Sequence, residues 1–123
     1  MIPIPKAFSA SYAQARVKFL EAAATVGAQI ASHKHPLPGR EDEQLALDTA
    51  LDGDAHSERL LIVSSACHGV EGFCGSGVQV FALRDAEWRT KAREAGVAVL
   101  YIHALNPYGF SHLRRVTQEN VDL

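Results

Sequence analysis

Cysteine is scarce in this chain: Cys67 and Cys74 are the only two in 123 residues. Secreted domains stapled by disulfides use more, so a reducing, cytoplasmic setting is expected, with both thiols serving as small buried apolar groups. A Cys67–Cys74 disulfide or a thiolate metal site stays open, because the two cysteines flank His68 and Glu71. A surplus of charge is also lacking. The net charge is -2, which provides no basic surface for nucleic acid or an anionic membrane. No apolar run approaches the roughly 20 residues of a membrane helix. The start, MIPIPKAFSASYAQAR, holds two prolines and no apolar stretch of the kind a secretory signal needs. Repeats and low-complexity tracts are absent. What remains, 47% hydrophobic and 21% charged residues, is the balance of one ordinary globular domain.

Periodicity supplies the elements. Ser11 with Gln14 has the form of a capping box, and Tyr12, Ala15, Phe19, Ala22, Ala23, Val26 and Ile30 recur at helical spacing. They predict an amphipathic helix over about residues 9–31, with Arg16, Lys18 and Glu21 on its polar positions. HKHPLPGRED, with Pro36, Pro38 and Gly39, reads as a short strand and a turn. QLALDTALD places Leu45, Leu47, Thr49 and Leu51 on one side of a half-buried strand. After the turn DGDAHSE, the run RLLIVSSA has the apolar continuity of a strand buried on both faces. GSGVQVFALRDAEW then predicts a helix with a glycine-rich entrance, and KAREAG a helical end closed by Gly96. VAVLYIHAL is a second buried strand, and NPYGF a turn.

Strand, helix, strand in that order is a βαβ crossover, which implies parallel pairing and a right-handed connection. The fold class is therefore α/β, a mixed sheet with flanking helices. Ligands in such sheets bind beyond the carboxyl ends of the strands, and both ACHGVEG and HALNPYGF fall there. His68 offers an imidazole nitrogen and Glu71 a carboxylate, both good zinc ligands, with Gly69 and Gly72 letting the loop turn tightly. Read alone, this spacing is equally that of a solvated polar turn. It also differs from the helical HExxH of zincins, which carries a second histidine on the same turn.

HGVEGFCGSG, HALNPYGF and RRVTQENVDL, in this order, resemble the zinc carboxypeptidase superfamily, and more closely an uncharacterised bacterial branch known only as a domain of unknown function. FSASYAQARVKFLEAAA and HPLPG resemble that branch too, so the likeness covers nearly the whole chain. It implies a carboxypeptidase-like (phosphorylase/hydrolase-like) fold, of which residues 1–123 form a single N-terminal portion. It also implies that His68 and Glu71 are zinc ligands, that Arg115 polarises the scissile carbonyl and meets the oxyanion, with Arg114 the weaker candidate, and that Asp122 orients His68. A metal-bound histidine commonly donates its other N–H to a carboxylate, which agrees with the last role. For Arg114 and Arg115 a solvated basic pair is the alternative.

In the family an Asn-Arg-Asn stretch follows Asp–Leu, and the third zinc ligand and a catalytic glutamate come later; none has a counterpart before Leu123. His103, weighed as a replacement ligand, is expected to be an ordinary satisfied strand-end histidine. Weak or absent zinc binding and negligible hydrolysis are therefore expected of this chain alone, together with self-association into a homo-oligomer through an uncovered sheet edge. The implied activity is zinc-dependent hydrolysis of an amide next to a carboxylate, on a peptide. The rival within metallohydrolases takes an N-acyl amino acid, as in the succinylglutamate desuccinylase and aspartoacylase group. A non-catalytic remnant or interaction module is the reading from another class. A serine hydrolase using Ser64 or Ser76 is disfavoured, since no GxSxG elbow is present and neither serine has an obvious His and Asp behind it.

Overall fold

The computed structural model describes residues 2–123. Pro3 and Pro5 start a single turn, α1 (Ile4–Ala7). Ser11 then caps α2 (Tyr12–Thr25): its Oγ accepts from Gln14 N at 3.2 Å, while Gln14 Oε1 accepts from Ala10 N at 2.8 Å. The first bond satisfies a donor the helix leaves free, and the second ties the preceding Ala10 N–H back to its first turn. Tyr12, Ala15, Phe19, Ala22 and Ala23 form its buried stripe, as the spacing predicts. The helix ends well short of residue 31. Gly27 takes φ +71°, a left-handed turn that breaks the helix. The following residues pair instead with a neighbouring strand, Ile30 opposite Ala50 and Ser32 opposite Asp48.

That segment is β1 (Gln29–Pro38), joined by a tight turn to β2 (Gln44–Asp52). β3 (Arg59–Ser64) leads into α3 (Gly72–Arg84) and α4 (Ala86–Glu94), and β4 (Val97–His103) follows. The expected single helix is thus two: Asp85 interrupts it and caps the second, its carboxylate accepting from Glu87 N and Trp88 N. NPYGF is helical rather than a plain turn. Asn106 caps and Pro107 opens the short α5 (Pro107–Ser111).

The four strands lie in the order β1-β2-β4-β3. β1, β2 and β4 pair antiparallel, whereas β3 runs parallel to β4 with Arg59 opposite Val97 and Ser64 opposite Ile102. The chain is therefore a mixed α/β domain with one parallel crossover. Phe19, Ala22 and Ala23 of α2 and Val80 and Leu83 of α3 pack on Ala50, Val99 and Tyr101, which form one face of the sheet. The other face carries Leu47, Leu51, Leu100 and Ile102, all half-buried, beside the exposed Leu60 and Ile62. Two expectations change here. On β2 the side bearing Leu45, Leu47, Thr49 and Leu51 is buried at Leu45 but only half covered beyond it, and the alternates Ala46, Asp48 and Ala50 are the fully buried ones. On β3, which stands at the sheet's edge, Leu60 and Ile62 are 55% and 56% exposed. Among the described residues, no helix is long and apolar enough to cross a membrane.

Polar groups stitch the core beneath the strand ends. Gln79 Nε2 donates to Val63 O at 2.8 Å and Ile102 O at 3.0 Å, tying α3 to β3 and β4. His103 is fully buried, stacked on Phe19 at 4.8 Å between ring centroids, with Nε2 at 2.9 Å from Ser76 Oγ. Its Nδ1 has no hydrogen-bond partner among the described residues, so this last residue of β4 is at the strand end as expected but buried and only half satisfied. Burial lowers its pKa from 6.5 to about 4, with Asp48 opposing the shift. The unfolded chain therefore binds the extra proton first as pH falls. Stability from this group is complete above about pH 6.5, declines down to about pH 4 and levels off below, a loss of about 3 kcal/mol. Urea unfolding between pH 4 and 7 is expected to show this slope, and His103→Gln to flatten it. An unchanged slope in that variant would assign the loss to carboxylates instead.

Candidate metal centre

The candidate residues gather where β3 and β4 end. The ladder between them continues past the strands: Ser65 N donates to Ile102 O at 3.0 Å, Leu105 N to Ser65 O at 2.9 Å and Asn106 N to Ala66 O at 2.8 Å. Ala66 then takes φ +56°, turning the chain out of the sheet into the His68 loop. Gly69 is buried at the base of that loop. A Cβ there would overlap the Gly109 backbone and the Arg114 carbonyl, so only glycine allows this close approach. Gly72, where α3 begins, lies equally close to the Phe110 ring.

Four side chains meet above this base. His68 Nδ1 lies 3.8 Å from Glu71 Oε1, and His68 Nε2 lies 3.0 Å from Asp122 Oδ1. Asp122 Oδ2 accepts from Arg115 Nε at 2.8 Å. Asp122 thus bridges the imidazole and the guanidinium. That contact, Arg115 foremost, lowers its pKa, and the Arg115 pKa is raised in return. The cluster is open to solvent, with His68 28% and Glu71 63% exposed. Arg114 turns elsewhere, lying over the Tyr108 ring at 5.8 Å and donating to Asn120 Oδ1.

The donor set suits a metal in part. Two ligands at zinc distances and a tetrahedral angle sit about 3.4 Å apart, and Nδ1 and Oε1 are 3.8 Å apart. A proton on Nε2, which lies 3.0 Å from Asp122 Oδ1, would leave the Nδ1 lone pair on the Glu71 side. His68 and Glu71 therefore suit two coordination positions. Among the described residues, no group of three His, Cys, Asp or Glu side chains is arranged to hold an ion. His103 lies in the core. Cys67 and Cys74 are exposed free thiols, not the buried ones expected; Cys67 Sγ donates to Leu123 O at 3.3 Å.

Two features escaped the sequence reading. Ser76 does have a histidine partner, His103, but both are buried and Asp48 is bound to Arg16 and Ser32, so no nucleophile is presented. Asn106 also enters the site from below, where its carboxamide touches the Arg115 backbone. Asn followed by Pro is a helix-start signal, and read as a cap it would have drawn attention to that side chain.

The fold and this cluster define a mixed α/β protein with a polar site at the carboxyl ends of its parallel strands. Residues 8–123 match the family described as "Protein of unknown function (DUF2817)", and the chain belongs to that family. No curated protein matches it. Among solved structures it is similar to one described as "Structural and kinetic characterization of Porphyromonas gingivalis glutaminyl cyclase", with 12% identity and a TM-score of 0.47, over 84% of this chain and 48% of that one. The chain thus spans about half the length of that protein.

Proposed function

We propose that this chain supplies the first part of the centre of a zinc-dependent hydrolase of the carboxypeptidase type, which cleaves an amide next to a carboxylate. The observation that supports it is the convergence of His68 Nδ1 and Glu71 Oε1 to 3.8 Å with Asp122 held against the opposite ring nitrogen. A bound zinc ion would act as a Lewis acid on the scissile carbonyl and acidify water beside it. His68 and Glu71 would hold it, and Asp122 fixes the imidazole tautomer with Nδ1 free to ligate. Arg115, charged at every accessible pH, offers donors to the oxygen that becomes negative during amide attack. A substrate carboxylate or N-acyl group would compete with Asp122 for that guanidinium. Peptides and N-acyl amino acids are the two substrate classes with this chemistry.

The test uses the longest natural protein that contains this chain. Metal analysis is expected to give stoichiometric zinc, lost in His68→Ala, and hydrolysis of C-terminal peptide bonds. Preference for N-acyl amino acids would move the reading to the deacylase group. Tight 1:1 zinc binding by residues 1–123 alone would contradict a centre that needs ligands from elsewhere. The bare sheet face supports a further proposal within this reading: the 123-residue chain self-associates through β3 and that face.

A further inference from the structure

His68 and Glu71 stand on the loop leaving β3, whereas Arg115 and Asp122 stand on the segment after α5. Their mutual ion pairs are exposed, and exposed pairs contribute only about 0–1 kcal/mol. Something else must hold the second segment in place. The geometry points to Asn106 as the positioning residue of this cluster, its buried carboxamide pinning the Arg115 backbone against the His68 loop so that Asp122 and Arg115 reach the imidazole.

Asn106 is 2% exposed and bonded in three directions. Its N–H donates to Ala66 O at 2.8 Å, which anchors it to the extension of β3. Its Oδ1 accepts from Gly109 N at 2.8 Å, and its Nδ2 donates to Arg115 O at 3.3 Å. Gly69 N reaches the same Arg115 carbonyl at 3.4 Å, and Arg114 N donates to Gly109 O at 2.9 Å. The Arg115 carbonyl is therefore the point at which the His68 loop, the α5 cap and the Arg115 segment join. Gly69 and Gly109 permit the joint, since a Cβ on Gly109 would overlap Asn106 Nδ2 and one on Gly69 would overlap Gly109. Both donors to that carbonyl come from buried residues, at 3.3 Å from the carboxamide and 3.4 Å from Gly69 N, and the carboxamide is the one a side-chain substitution can remove.

Aspartate isolates the effect. In Asn106→Asp one carboxylate oxygen still accepts from Gly109 N, while the other faces the Arg115 carbonyl and repels it. The functional meaning of the positioning rests on the hydrolase reading, but the measurement needs neither metal nor substrate. By nitrogen-15 NMR of the full chain, wild type is expected to show His68 locked as the Nε2–H tautomer, a protected Arg115 Nε–H, and Overhauser contacts from the Asn106 carboxamide protons to the Arg115 and Val116 backbone. Asn106→Asp is expected to lose the tautomer lock and the protected Arg115 signal while keeping the Gly109 N–H resonance and a cooperative melt. Trp88→Phe, which breaks the remote 2.9 Å bond from Trp88 Nε1 to Tyr101 Oη, is expected to leave both signals in place. Asn106→Asp with both signals intact would overturn the inference. Absence of the Asn106–Arg115 contacts in wild type would overturn it as well, whether or not the variant folds.

Discussion

Asp48→Ala is expected to destabilise the fold by about 3–5 kcal/mol, the loss typical of breaking a buried ion pair from one side. Asp48 is fully buried in the middle of β2, where a carboxylate is tolerated only if its oxygens are occupied. Arg16 reaches it from α2 with two bonds, Nε to Oδ2 at 2.7 Å and a terminal nitrogen to Oδ1 at 3.1 Å. Ser32 on β1 donates to the same Oδ1. One carboxylate thus joins three elements. Alanine leaves the guanidinium, only 19% exposed, without its counter-ion, and leaves a void beside it. Replacing both partners, Arg16→Met with Asp48→Leu, is expected to recover most of the loss, because the cost lies in the orphaned charge rather than in a missing attraction. Urea unfolding at pH 7 reads both. An Asp48→Ala variant within about 1 kcal/mol of wild type would show that water enters and solvates Arg16.

Asp48 also shows how far local sequence carries. QLALDTALD specifies the extent of β2 through its alternation, and the strand does run Gln44–Asp52. Alternation cannot say which side is inward when a charged residue sits among alanines on one side and leucines on the other. The partners that decide it, Arg16 and Ser32, lie on other elements. The end of α2 was hidden for a related reason. Val26 and Ile30 continue the helical spacing, while Gly27, with room around it and a positive φ, is where the chain turns back. Asp85 sits inside a good helical pattern, and only its capping of the next two N–H groups makes it a boundary.

The candidate site divides along the same line. HGVE is visible as a motif because its two donors are neighbours in sequence, and Ala66 and Gly69 set the turn locally. The family resemblance pointed to Arg115 and Asp122. That Arg115 is held by Asp122 and not left free follows from the path of the last segment over Gly109, which no local rule encodes. Cys67 and Cys74 illustrate the converse. Their apolar character predicts burial, but they stand on the site loop and the first turn of α3, on the outside of the domain.

Leu60→Lys combined with Ile62→Lys is expected to abolish self-association of the 123-residue chain. RLLIVS has the composition of a strand covered on both faces, yet β3 ends the sheet with Leu60, Leu61 and Ile62 exposed. Its outer edge offers free N–H and C=O groups, and Leu100 and Ile102 extend the apolar surface onto β4. A second copy brought edge to edge or face to face would bury these side chains twice over in an isologous contact. Burying one such side chain contributes about 1.5–3 kcal/mol. Removing two per copy should then weaken a dimer by more than about a hundredfold. The fold should survive, since both positions are more than half exposed in the single chain. Sedimentation velocity over a concentration series is expected to show wild type shifting to dimers or larger species, and the double variant holding at monomer. A single monomer boundary for wild type throughout the series would sink the idea and leave the open face to a different partner.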